Sequence, residues 1–250
     1  MIEHYALDLP GKSLYKVPFN LKVRKITPIE VKYLESLFKK QQFSIGEYID
    51  FVKKLIEIDN EEMKFEDLFW LDLQYILYQI RYRTFPNFPI RLYFVCTGVN
   101  EDGTYCKKEF SQPLDIGTLP ILEPSDIEGF STELVLDNLG KVHIHNKRVR
   151  DDIDMIEFAK QHEMDINDPE TLLFLTELFS VDEYGYEDMY KFAEDGTLTA
   201  EDMLKIEDKI MTNVWGIREQ ITIKCPVCGK EESRPYMLRL GDYFSVYRPR

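Results

Sequence analysis

Four cysteines carry the clearest chemical signal in the chain, and they sit in two places. Cys225-Pro-Val-Cys228-Gly229-Lys230 has the form of a metal-binding turn. Its short spacing lets both sulfurs face one ion, and Gly229 can take a backbone conformation closed to other residues. Cys96 and Cys106 flank the tip of a candidate hairpin, so the nine residues between them, "TGVNEDGTY", must bulge outward for the arms to close. Two hairpins that each supply a pair of thiolates complete a tetrahedron at about 2.3 Å per bond, as in a zinc ribbon. Cys96, Cys106, Cys225 and Cys228 are therefore candidate ligands of one structural Zn2+, with no cysteine left over. Two other readings stand beside this one: unrelated buried thiols, and a redox Cys-x-x-Cys. Against redox chemistry, no βαβ unit is evident around Cys225, and the segment after it reads as a strand. Four protein ligands leave no open position for water or substrate, so the expected role is structural.

Other chemistry is sparse. His143 and His145 alternate on a candidate strand and would share a face, but no cysteine or evident carboxylate completes a ligand set, so two ordinary strand histidines are expected. His4 and His162 lack context. A phosphate-cradling glycine loop, a nucleophile elbow, an H-E-x-x-H helix and the kinase motifs are all missing from the sequence. Carboxylate pairs such as Asp151-Asp152 are plentiful, but abundance in an acidic chain does not identify an acid–base couple. The expectation is a protein that is not an enzyme and takes no small-molecule substrate.

The elements that must position the cysteines are legible from periodicity. Val17, Phe19, Leu21 and Val23 alternate with polar residues and Pro18, predicting an edge strand. Thr27-Pro28-Ile29-Glu30 supplies an N-cap, a first-turn proline and a capping-box glutamate for a helix to about Phe38. Ser44 starts a second helix running to about Ile58, and a third runs from about Phe65 to Tyr82. That third segment places Phe65, Leu68, Phe69, Tyr75, Ile76, Tyr78 and Tyr82 around much of its circumference, which predicts a central core helix, with a partner-docking surface helix as the alternative. Hairpins follow around Asn100-Glu101-Asp102-Gly103 and Asp137-Asn138-Leu139-Gly140. Residues 151–212 read as three helices, with the acidic run "VDEYGYEDMYKFAEDG" a solvated amphipathic helix or, as the alternative, a partner-docking face, and the last forty residues return to strands. The fold class is α+β. The expected organisation is an N-terminal strand and helical part over 1–88, a β-rich zinc-ribbon-like part over 89–150 and 213–250, and a helical insertion over 151–212. Cys106 and Cys225 must meet, so that insertion becomes an excursion between two halves of one metal site.

With 45 acidic against 31 basic residues, the net charge of −14 argues against a general nucleic-acid binder, because phosphate contacts require clustered Lys and Arg. Lys224, Lys230, Arg234 and Arg239 near the second cysteine pair keep one alternative open, a zinc-ribbon nucleic-acid-binding or transcription-regulating protein. No window approaches the roughly 20 apolar residues that cross a bilayer, and the N-terminus lacks a secretion signal, so a soluble protein in a reducing compartment is expected.

With these residues placed, the succession "LDLPGKSLYKVPFNLKVRKITPIEVKYL", "FEDLFWLDLQYILYQIRYRTFP", a strand entering a cysteine pair, and a late "CPVCGK" before "YMLRLGDYF" resembles the T4-type phage baseplate hub assembly proteins. The resemblance spans roughly residues 5–245. It implies a factor that helps build the hub of a contractile-tail baseplate by binding other hub proteins, without turnover. It also implies zinc at Cys96, Cys106, Cys225 and Cys228, and residence in the cytoplasm of the infected bacterium or in the virion baseplate.

Overall fold

A computed structural model describes residues 3–39, 45–100, 102–238 and 240–244 of the chain. It is a mixed α and β structure with, among the described residues, seven α-helices and several small antiparallel sheets. The first sheet joins β1 (His4–Leu7), β2 (Leu21–Arg24) and β3 (Ile56–Ile58) in that order. Two corrections to the sequence reading lie here. Strand β2 starts at Leu21, later than the alternation beginning at Val17, because Pro18 cannot donate to a ladder. The second helix stops at Lys53, and Ile56–Ile58 leaves the helical path to pair with β2, with Leu21 opposite Ile58. Its proposed cap, Ser44, lies outside the described residues.

Helix α1 (Pro28–Lys39) begins as its capping box requires. The Thr27 amide donates to Glu30 at 2.8 Å, and Glu30 also holds Arg24 at 2.7 Å. Arg24 pulls the Glu30 carboxyl down to about 2. Helix α2 (Ile45–Lys53) then leads into β3. The third predicted helix is split: Phe65–Asp67 is a 3-10 turn, Leu68 and Phe69 are extended, and α3 runs Trp70–Thr84. The break lets Phe69 bridge Arg148, while the Trp70 amide donates to the Lys147 carbonyl. Helix α3 buries Leu73, Ile76, Leu77, Tyr78 and Ile80, as a central core helix should.

Two hairpins follow the helix, β4 (Ile90–Val95) with β5 (Glu109–Leu114), then β7 (Glu133–Leu136) with β8 (Gly140–His143). Between them, β6 (Ile121–Leu122) pairs with the distant β9 (Gly216–Ile217). Residues 149–212 form four helices where three were expected: α4 (Val149–Gln161), α5 (Pro169–Leu178), α6 (Tyr186–Asp195) and α7 (Ala200–Thr212). The acidic tyrosine-rich run is helical as expected and forms a helix of its own, α6, which buries only Met189 completely. A last hairpin joins β10 (Gln220–Lys224) to β11 (Glu231–Pro235).

Apolar residues gather in two cores. The first packs β1–β3 and α1–α3 with Ile90, Leu114, Tyr236, Tyr243 and Phe244, so the C-terminal end returns to the N-terminal elements. The second packs Leu136, Val142 and Ile144 of the β7–β8 region against Met155, Phe158, Leu175, Leu178, Met189 and Ile206 of the four helices. Asp72, buried near the start of α3, ties distant segments together. It accepts from the Gly11 amide (2.8 Å), the Tyr15 hydroxyl (2.7 Å) and the Trp215 indole (3.3 Å). Burial outweighs these donors and raises the Asp72 carboxyl above its ordinary value.

Candidate metal centre

Each cysteine pair is held by a hairpin whose backbone narrows at the sulfurs. At the first, the Cys96 amide donates to the Lys108 carbonyl and the Cys106 amide to the Gly98 carbonyl, both at 2.9 Å. Beyond them Val99 bridges Tyr105, and the Asn100 amide donates to Thr104 at 2.8 Å. The long Cys96–Cys106 spacing is therefore taken up by a short second ladder and a tight turn, where the sequence suggested an open bulge; Glu101 of that turn lies outside the described residues. At the second hairpin, the Cys225 amide donates to the Lys230 carbonyl (2.9 Å) and the Gly229 amide to the Cys225 carbonyl (3.0 Å). Gly229 has φ +72°, the left-handed conformation that closes this turn and that favours glycine.

The two turns face each other. Cys96 Sγ lies 3.5 Å from Cys228 Sγ, and Cys106 Sγ lies 3.8 Å from Cys225 Sγ. All four sulfurs lie within 4.8 Å of one another, and no other group of three or more His, Cys, Asp or Glu among the described residues comes together in this way. All four cysteines are free thiols. Four thiolates at about 2.3 Å from one tetrahedral ion sit about 3.8 Å apart, so the spacing fits a four-sulfur metal site. Gly98 lies so close that a Cβ there would meet Cys228 Sγ at 2.8 Å and Cys96 Sγ at 3.2 Å. Its amide points at Cys96 Sγ, also at 3.2 Å, in the manner of a donor to a thiolate. Gly98 in Cys96-Thr97-Gly98 thus lets the backbone approach the sulfurs where a side chain could not fit, a signal that the sequence held and the spacing argument passed over.

The electrostatics of the four sulfurs is compatible with a bound cation. Backbone amides, that of Cys228 foremost, lower Cys225 to about 6. The Gly98 amide acts the same way on Cys96, but burial and the other three sulfurs outweigh it and push that thiol up to about 12. Cys106 is also raised, by burial and by Cys225 and Cys228, against the Lys108 backbone contact. Four sulfurs this close cannot all ionise by themselves, and a soft divalent ion removes the conflict.

Side-chain contacts lock the hairpins together around the cluster. The Gln112 amide donates to the Thr222 carbonyl at 2.9 Å, and Lys230 Nζ to Thr97 Oγ1 at 2.9 Å. The basic residues near the second pair are matched by acids: Lys224 with Glu231 (2.7 Å), Lys230 with Glu232 (3.2 Å) and Arg234 with Glu232 (2.7 Å). Arg239 lies outside the described residues.

The histidines find partners that the sequence did not reveal. His143 Nδ1 meets Glu183 at 2.5 Å, while His145 sits between Asp182 (3.0 Å) and Asp151 (3.4 Å). Burial alone would lower the His145 pKa, but Asp151 and Asp182 overcome it and raise it. The contact with His145 in turn holds Asp182 down at about 2. His143, His145, Asp182 and Glu183 line a cleft of about 700 Å³ with Tyr15, Arg148 and Trp215. Arg148 lies 3.5 Å from Asp182 at this cleft. His4 pairs with Glu57, and His162 stacks on Phe158.

No helix among the described residues is long and apolar enough to cross a membrane. In comparison with known proteins, a family model described as "T4 bacteriophage base plate protein" matches residues 10–244. No curated protein and no solved structure matches the chain.

Proposed function

The chain belongs to the T4 bacteriophage base plate protein family, and from that premise we propose that it is a baseplate hub assembly factor or hub component. It works by binding other hub proteins, with a structural Zn2+ held by Cys96, Cys106, Cys225 and Cys228, and turns over no substrate. The observation that carries this reading is the closed four-sulfur set inside a chain matched almost end to end by a baseplate family. Four protein thiolates fill a tetrahedral ion, so the metal clamps two hairpins and leaves no position for a reacting ligand. The clamp joins residues separated by more than a hundred positions, and the surfaces it fixes are left to do the binding. The acid partners of Lys224, Lys230 and Arg234 favour protein over phosphate as the ligand of this region.

The test is affinity capture of the tagged protein from phage-infected cells in the cytoplasmic fraction, with metal analysis of the purified chain. Hub proteins in the eluate and one zinc per chain are expected. Capture of phage or host nucleic acid in their place, lost steeply as salt rises, would favour the regulator reading. A chain purified without chelator that holds no metal would overturn the clamp.

A further inference from the structure

The negative charge of this protein is not spread over it. Residues 149–212 hold 19 Asp and Glu against five Lys and Arg, a net of −14, which is the net charge of the whole chain. The other residues balance, with 26 of each sign. A solvated acidic surface would account for most of those side chains. One of them does not fit that account. Glu177 on α5 is only 6 % exposed, yet no hydrogen bond or ion pair reaches its carboxylate among the described residues. The charged group that acts on it is another acid, Glu207 on α7. A glutamate enclosed to this degree, with no donor on its carboxylate and a second acid acting on it, is an unfavourable arrangement that a partner's cation would relieve.

The surroundings of this pair are those of a docking surface. Leu204 and Met211 lie one helical turn on either side of Glu207 and are 65 % and 68 % exposed. Leu173 lies one turn before Glu177 and is 44 % exposed. The nearby lysines are not placed to neutralise the acids. Lys205 turns to Asp137, Glu201 and Asp202, and Lys209, two residues beyond Glu207, projects from another side of α7. Exposed aliphatic side chains near a partly desolvated charge form the pattern of an interface hot spot awaiting its complement.

We propose that the α5–α7 face is a docking site for a basic amphipathic protein segment, one Arg or Lys of which enters between Glu177 and Glu207 while apolar neighbours cover Leu173, Leu204 and Met211. Charge complementarity selects the occupant: the surrounding module repels acidic partners, and the central pair rewards one cation held in a low-dielectric spot. The proposal does not depend on which assembly the protein serves, and its test is separate from capture of hub proteins.

The probe is a synthetic helical peptide presenting one Arg between two Leu on one face, titrated by calorimetry into the full-length, metal-loaded protein. A control peptide carries Gln in place of the Arg. Saturable binding is expected, weakened about tenfold or more by the control peptide and, separately, by Glu177→Gln. Leu204→Ser with Met211→Ser, both exposed and harmless to folding, should weaken it by a similar factor. Absence of binding, or binding indifferent to Glu177→Gln and to the leucine and methionine changes, would overturn the proposal. So would saturable binding of Mg2+ or Ca2+ alone that depends on Glu177, because the acid pair would then be a cation site.

Discussion

The cysteine-bearing frame and the acidic helical module solve the problem of staying folded in opposite ways. In the frame, residues far apart in sequence are joined by specific links. Cys96 meets Cys228, Asp72 gathers Gly11, Tyr15 and Trp215, and neighbouring charges cancel in pairs such as Arg234 with Glu232. The module from α4 to α7 holds no cysteine, and its links to the rest of the chain are single polar contacts such as Asp202 with the Asp137 amide and Asp182 with His145. Its helices pack on a local core and are started by their own caps, Asp168 for α5 and Thr199 for α7. It tolerates a net charge of −14 that its own fold does not neutralise. The frame therefore looks inward and the module outward. Excess charge in a stable module is available to a partner, whereas charge paired beside the cysteine cluster serves rigidity.

The largest expected effect tests whether the two regions are separable. Cys228→Ser, or removal of metal by a strong chelator, should lower the melting temperature by more than about 10 °C, because metal binding contributes folding free energy directly. Hydrogen exchange should then show the β4–β5 and β10–β11 hairpins opening while amides of α4 to α7 stay protected. Equal loss of protection in both regions would mean that the comparison is false and the molecule is one cooperative unit. A smaller effect isolates the second link of the frame. A Cβ on Gly11 would meet Trp215 Nε1 at 2.4 Å and Asp72 Oδ2 at 2.6 Å. Gly11→Ala should cost about 2–3 kcal/mol in denaturant unfolding, the range of overpacking at a tight site. An unchanged midpoint would show that Asp72 does not hold the segments together.

The two regions also differed in how far the sequence disclosed them. The cysteine hairpins were readable because turn residues and ladders are local, and because four cysteines of one type constrain each other across any distance. The α1 capping box was readable for the same local reason. What escaped depended on partners far away in the chain. Ile56–Ile58 continues a helical pattern until β2 recruits it, and the break at Leu68 and Phe69 exists because Arg148 and Lys147 pair there. Nothing near Asp72 in the sequence announces the donors from residues 11, 15 and 215. His143 and His145 lacked carboxylates in the sequence reading and find them in the chain beyond α5, at Asp182 and Glu183. In the module, the acidity was visible but the burial of Glu177 was not. Burial belongs to the packing of α5 on α7, which no periodicity of either helix reveals.

The outward character of the module predicts a pH effect of definite sign. Burial, then Glu207, raises the Glu177 carboxyl from 4.5 to about 7. The folded state thus holds this proton over a range where the unfolded chain has released it. Its stability contribution is present below about pH 4.5 and lost as pH rises through about 7. Glu177→Gln removes the charge at constant shape. It should stabilise the protein by about 1–2 kcal/mol at pH 8, discounted for the nearby solvent, and leave it unchanged at pH 4. Paired urea titrations at the two pH values read this directly. A destabilised variant at pH 8 would mean that the carboxylate has a favourable partner within the chain, and the outward-facing account of the module would fail.

The smallest effect is also the most local. Thr199 Oγ1 accepts from the Asp202 amide at 3.1 Å, and Asp202 accepts from the Thr199 amide at 3.2 Å, closing the first turn of α7. Asp202 also accepts from the Asp137 amide at 2.9 Å, so this cap orients α7 against the β7–β8 turn. Thr199→Ala should cost about 1 kcal/mol, as loss of a helix cap does. If the module stands by its own caps and core, that cost should be the same in metal-loaded protein and in Cys228→Ser, since sites without shared partners add. A double-mutant cycle giving a coupling well above about 0.5 kcal/mol would instead show that the clamp reaches into the module through β9 and Trp215, and the division between the two regions would have to be redrawn there.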